Sequence, residues 1–81
     1  MRLPKKAAML ILAGELERRG HNVKMDGYWL EINEGCSSRY AGIVKVNELL
    51  DSAGTPNLLE IGYQCREIEH QLEENTSHEY H

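Results

Sequence analysis

The chain's 81 residues make one domain, near the size at which a single core only just outweighs chain entropy, and a 41% hydrophobic share excludes disorder throughout. Nine Lys and Arg against 13 Asp and Glu give a net charge of −4, which argues against a nonspecific phosphate-binding surface and makes nucleic acid an unexpected partner. Two cysteines without a C-x-x-C pair are too few for the disulfide framework of small secreted domains, so Cys36 and Cys65 are expected as free thiols in a reducing, cytoplasmic setting.

Charge is uneven along the chain. Residues 1–24 carry six basic and two acidic side chains, residues 25–59 two and five, and residues 60–81 one and six. The basic start and acidic end are expected to attract each other within one fold or across a dimer.

Pro4 suits the first turn of a helix, and Ala, Leu, Met, Glu and Arg dominate from there to Arg19. Gly20 supplies a left-handed stop, so the first helix is predicted over about 4–19. Its run Ala7–Ala13 is apolar all round, which implies burial on more than one side. That run is short for a signal-peptide core, and Glu15-Leu16-Glu17-Arg18-Arg19 continues the helical pattern. No stretch approaches the 18 or so apolar residues of a membrane span.

Asp26-Gly27 between alternating apolar residues predicts a β-hairpin over 21–26 and 28–33 with a type I′ turn. Met25 then faces Tyr28, Lys24 faces Trp29 and Val23 faces Leu30. Val23, Met25, Tyr28, Leu30 and Ile32 share the core face, and Trp29 falls on the other with Lys24 and Glu31. The only tryptophan on a polar face marks a candidate binding surface, unless a helix or loop covers it.

Residues 33–38 read as a loop from their Gly and Ser content. Over 39–46, β-branched Ile43, Val44 and Val46 favour a third strand, although Ile43, Val46, Asn47 and Leu50 also fit a helical face. A short helix capped by Asn47 and ended by Gly54 should follow. Thr55-Pro56 predicts a restart, with a hydroxyl cap and proline at the first helical position. The last helix is expected to reach about Asn75, which bounds a single domain over 1–75 with a frayed tail over 76–81.

Within that helix Leu58, Ile61, Cys65, Ile68 and Leu72 recur at three and four residues. They form one stripe, to be packed on the chain's own sheet or, alternatively, used as a homodimer seam. Glu60, Tyr63, Glu67, His70 and Glu74 lie on the opposite side, where acids and a tyrosine could meet a basic partner surface.

Catalysis has little support. A nucleophilic Cys36 would need His21 or His70 beside it. There is no P-loop, G-x-G-x-x-G or H-E-x-x-H, and the weak anion signal of Ser37 and Ser38 is common in turns. Metal binding by His78-Glu79-Tyr80-His81 with His70 would be adventitious, since structural zinc needs about four fixed ligands. His21 is expected to meet helix-end carbonyls or solvent. No catalytic residue, metal site or cofactor is expected.

In element order, Leu16-Glu17-Arg18-Arg19-Gly20 followed by a hairpin resembles the opening of the small HicA-type ribonuclease toxins, and double-stranded-RNA-binding domains share the layout. That resemblance implies a nucleic-acid-binding or RNA-cleaving module with Arg2, Lys5, Lys6, Arg18, Arg19 and Lys24 in one patch. The motifs depart from both families. Gly27-Tyr28-Trp29 stands where the toxins have a Gly-Ser-His turn, and Pro56-Asn57-Leu58-Leu59-Glu60 has no basic residue where the RNA-binding domains need one.

The expected fold is α+β, a small antiparallel sheet of two or three strands flanked by an N-terminal and a C-terminal helix, in the order αββ(β)αα. Its core should hold Ala8, Leu10, Ile11, Leu12, Leu16, Val23, Leu30, Ile32, Val44, Val46, Leu50, Ile61, Cys65, Ile68 and Leu72. The function this suggests is that of a small acidic interaction protein, such as a bacterial or phage accessory inhibitor, acting on a larger protein of unknown identity. A homodimeric structural subunit is the third class.

Overall fold

The structure, a computed structural model, describes residues 4–33 and 39–78, with side chains as far as Glu74. Helix α1 (Pro4–Arg18) leads into strands β1 (Val23–Asp26), β2 (Trp29–Asn33) and β3 (Arg39–Ile43). A 3₁₀ turn (Val46–Leu49) then precedes α2 (Leu58–His78). The strands form an antiparallel sheet in the order β1-β2-β3. Both helices pack on one face of it, α1 against β1 and α2 against β3. The fold is α+β, as expected, with the third strand present and the expected short helix reduced to a single 3₁₀ turn.

Between the layers lie Ala8, Met9, Leu12 and Leu16 of α1, Leu30 and Ile32 of β2, and Ile61, Cys65, Ile68 and Leu72 of α2, with Val44, Val46 and Leu49 closing one end. A fully buried Leu, Ile or Met stabilises by about 1.5–3 kcal/mol, so this small set dominates the fold's stability. Leu10 was expected among them but is exposed, while Met9 is buried. At 100° per residue, Ala8, Met9, Leu12, Ala13 and Leu16 share one wedge, and Leu10 points away from it. The apolar run is therefore buried on one side, with Ile11 half-covered at its flank.

Gly20 ends α1 as predicted. Its φ is 96°, the Gly20 N–H donates to the Glu17 carbonyl (3.0 Å), and the His21 N–H donates to the Leu16 carbonyl (3.1 Å). These two bonds are the Schellman pattern, which satisfies carbonyls that the helix leaves open.

The hairpin turn sits one residue later than Asp26-Gly27. Asp26 pairs with Trp29, Met25 with Leu30, Lys24 with Glu31 and Val23 with Ile32, leaving Gly27-Tyr28 as the two-residue loop. Gly27 has φ 61° and Tyr28 a negative φ, the signature of type II′ in place of type I′. The shift confines positive φ to the glycine, whereas a type I′ turn at Asp26-Gly27 would impose it on Asp26 at a cost of about 1–2 kcal/mol. Because the loop still has two residues, each partner moves by two and the strand faces are preserved. Two residues change role: Asp26 leaves the turn for β1, and Tyr28 leaves the core face for the turn, where it is exposed.

β3 ends at Ile43, short of the expected Val46. Asn47 lies inside the 3₁₀ turn, whose N-cap is Lys45 without a side-chain bond. Residues three apart eclipse in a 3₁₀ turn, so Val46 and Leu49 are buried together and Leu50, expected in the core, is only half-buried. Val23 is half-buried as well. Gly54 (φ 79°) closes a separate turn around Asp51, whose Oδ1 accepts from the Ala53 and Thr55 N–H groups at 2.9 Å each. The restart falls later than Thr55-Pro56. Asn57 is the cap, its Oδ1 accepting from the Leu59 N–H at 3.1 Å and the Glu60 N–H at 3.4 Å, while Pro56 bridges to Leu50. α2 runs on to His78, so the tail expected from residue 76 begins inside the helix.

The stripe on α2 is core, not seam. Ile61, Cys65, Ile68 and Leu72 are buried within the chain's own fold, and Leu58 at the helix start is exposed. Of the stripe, only Leu58 stays open to solvent.

Candidate interaction surface

Among the described residues, none covers the face of the sheet away from the helices. Trp29 lies on it beside Lys24 and Glu31, as the alternation predicts, and is 41% exposed. The Trp29 Nε1–H donates to Glu31 Oε1 at 3.0 Å, which orients the indole along the strand. Lys24, Met25, Asp26, Trp29 and Glu31 border a depression of about 530 Å³. Across the sheet Trp29 pairs with Ile43, which is 71% exposed. Ile43 is an exposed apolar neighbour of Trp29 that the sequence reading missed. The alternation Arg39, Ala41, Ile43 outward and Tyr40, Gly42, Val44 inward was the signal for it.

The second set of site residues is brought together in part. Glu60, Tyr63, Glu67, His70 and Glu74 all lie exposed on α2. Arg66 places its guanidinium 5.1 Å from the Tyr63 ring centroid, a cation–π contact, and His70 Nε2 lies 3.0 Å from Glu74 Oε1. Leu59, one helical turn before Tyr63, is 81% exposed and was also missed. Since the opposite stripe of α2 meets the sheet, Tyr63 and Trp29 lie on opposite sides of the two-layer fold. One flat partner surface cannot touch both.

A polar cluster joins the helices at the end of α1. Glu15 pairs with Arg18 and Arg19, Arg19 Nη1–H donates to Glu69 Oε1 at 2.6 Å, and His21 Nε2 lies 2.8 Å from Glu69 Oε2. The hydrogen bond from His21 and the nearby Arg19 hold the Glu69 carboxyl below the usual range, against a smaller opposing effect of burial. Hydrogen bonds from Arg18 and Arg19 do the same for Glu15. His21 thus meets a helix-end carbonyl through its backbone N–H, as expected, and its ring in addition bonds a carboxylate on the other helix.

These pairings bear on nucleic-acid chemistry. Arg18 and Arg19 are engaged by carboxylates at one end of α1, Lys5 and Lys6 stand about 20 Å away at its other end, and Lys24 is on the outer sheet face. Among the described residues these cations do not converge. Arg2 lies outside them.

Cys65 is a free thiol buried between the helices, its Sγ 4.0 Å from the Leu12 carbonyl oxygen. Burial pushes its pKa up to about 11, so it stays protonated and is a poor nucleophile. Cys36, Ser37, Ser38, Glu79, Tyr80 and His81 lie outside the described residues, as does the side chain of His78. Among the described residues, no three His, Cys, Asp or Glu side chains gather to hold a metal ion, and no helix is long and apolar enough to cross a membrane.

Comparison of the chain with family models, with curated proteins and with solved structures finds no match.

Proposed function

We propose that the protein acts without catalysis, as a small acidic intracellular interaction protein that occupies a site on a larger protein. Bacterial or phage accessory inhibitors of nucleic-acid-handling machines have this character. The observation that carries the reading is the Trp29–Ile43 pair, two large apolar side chains adjacent on a sheet face that neither helix covers. Exposed apolar groups rimmed by polar residues are the usual form of a protein contact, and aromatic anchors carry a large share of the binding energy. Lys24, Asp26 and Glu31 supply the rim. The acidic side of α2, with Glu60, Tyr63, Glu67, His70 and Glu74, is assigned a steering role toward a basic partner, because charge at a rim mainly affects the rate of encounter.

The test is affinity capture from cell lysate with the wild-type chain and with Trp29→Ala and Ile43→Ser as baits, identified by mass spectrometry. Circular dichroism checks that both variants stay folded. A partner held by the wild type should be lost by Trp29→Ala, because truncating a central aromatic anchor typically costs about 2 kcal/mol or more. Equal capture by folded Trp29→Ala removes this face as the contact.

A further inference from the structure

We propose that the free edge of β3, with the flank of α2 beside it, is a docking groove for an extended segment of a partner protein that alternates apolar and basic side chains. The proposal rests on the interaction reading above and names the element of the partner that would be recognised.

The hydrogen-bond parity of the sheet defines the edge. The Val44 N–H donates to the Tyr28 carbonyl at 2.8 Å. Bonded and non-bonded pairs alternate in an antiparallel ladder, so Gly42 with Leu30 and Tyr40 with Ile32 continue the bonded set. Ala41 and Ile43 consequently turn their N–H and C=O groups away from β2, toward the edge. Among the described residues, no group beyond the sheet bonds to either.

The two edges of the sheet are not equivalent. On β1, Lys24 and Asp26 put charges beside the edge, a common protection against strand addition. On β3 the one charge, Arg39, stands at the start of the strand, and the stretch Ala41-Gly42-Ile43 beyond it carries none.

Beside that edge lies a groove of about 270 Å³, bordered by Lys45 and Glu48 at one end and by Gln64, Glu67 and Gln71 of α2 along one side. Two carboxylates against one lysine, with two amides, favour a basic or hydrogen-bonding side chain. An added strand would place residues opposite Ala41 and Ile43 on the outer face, next to the exposed Ile43 side chain. Residues opposite Tyr40, Gly42 and Val44 would point into the groove. Alternating apolar and basic side chains meet both demands, in the β-augmentation mode of recognition.

A second copy of this chain is a poorer occupant. Three strands span about 10 Å and packed helices need about 8–10 Å between axes, so α2 lies beneath β3. Pairing two β3 edges would bring two α2 helices to about one strand spacing, roughly 5 Å, which is closer than helices pack. An extended segment with no helix beneath it avoids that clash.

The test uses a short capped peptide of alternating valine and lysine, with an alternating valine–glutamate peptide as comparator, followed through the backbone amide resonances of the full chain. The lysine peptide should shift the Ala41 and Ile43 amides and slow their hydrogen exchange, and should bind about tenfold or more tightly than the glutamate peptide. Ala41→Pro removes one edge donor without breaking a bond to β2 and should abolish binding. Glu67→Lys, on the exposed flank, should invert the preference between the peptides and covers the case in which the proline variant unfolds. Equal affinity for the two peptides, or shifts that avoid β3, overturns the proposal. If a partner is lost by Trp29→Ala but kept by folded Ala41→Pro, the edge proposal falls and the interaction reading stands. Retention by both variants overturns the two together.

Discussion

Leu30 and Trp29 are neighbours in β2, yet Leu30 is fully buried under the helices and Trp29 stands on the open face. The inner face of the strand meets a layer that the chain supplies for itself. On the outer face Trp29 meets only its neighbours within the sheet among the described residues, with the Glu31 carboxylate and Ile43 beside it. Hydrophobicity alone does not separate these positions, since both are large and apolar. What separates them is which layer the topology provides: it buries one residue and leaves the other exposed, on the face proposed for contact.

The strongest way to break the comparison is Leu30→Ala. Removing a fully buried side chain of the core should cost about 2–5 kcal/mol in unfolding free energy, most of what a domain of this size possesses. Urea denaturation followed by circular dichroism measures it. A loss below about 1 kcal/mol would mean that the inner face is loosely packed, and the contrast with Trp29 would vanish.

Much of this arrangement was legible before any coordinates. Strand alternation put Trp29 opposite the core face, and the spacing of three and four on α2 picked out Ile61, Cys65, Ile68 and Leu72. Periodicity identifies a face, but not what covers it, so the same stripe also fitted a dimer seam until α1 and the sheet were seen against it. The hairpin register was missed because Asp-Gly satisfies two turn types. The choice fell on the type that asks positive φ of glycine alone. Leu49 and Leu50 were exchanged because an α-helical spacing was assumed where the chain makes a 3₁₀ turn. Ile43 was placed in a strand, but its pairing with Trp29 depends on the β2–β3 register, which the sequence pattern does not specify. Glu69 was overlooked because its partners, Arg19 and His21, come from sequence positions about 50 residues away.

A smaller effect sharpens the comparison by asking how the inner layer is held. Glu69 joins α2 to Arg19 and His21 at the end of α1, and its carboxyl titrates below the usual range. A depressed folded-state pKa contributes stability that is fully present above the unfolded value, near 4.5, and is lost as pH falls through the folded value. The wild type should therefore lose stability in acid below about pH 4.5, and Glu69→Gln should flatten that fall. At neutral pH the variant should be weaker by only about 0.5–1 kcal/mol, because the pair is partly exposed and screened. Glu15, also held low by its arginines, should leave some residual acid sensitivity in the variant. Urea midpoints measured across pH 3–7 give both quantities. A Glu69→Gln profile parallel to the wild type would mean that burial alone fixes the helices together.

The smallest expected effect on the fold belongs to the acidic side of α2, and it separates contact by burial from attraction by charge. Glu67 and Glu74 are exposed, Glu74 pairs only with His70 among the described residues, and neither touches the core. Glu67→Gln with Glu74→Gln should shift stability by less than about 0.5 kcal/mol. Its consequence should lie in kinetics. With a captured basic partner, association should slow and its dependence on ionic strength should flatten. Trp29→Ala should instead speed dissociation with the salt dependence kept, because an apolar anchor is felt after encounter and charge before it. Stopped-flow association at several salt concentrations distinguishes the two. An unchanged salt dependence in the doubly neutralised variant would remove α2 from the contact and leave the outer sheet face as the surface through which the partner is engaged.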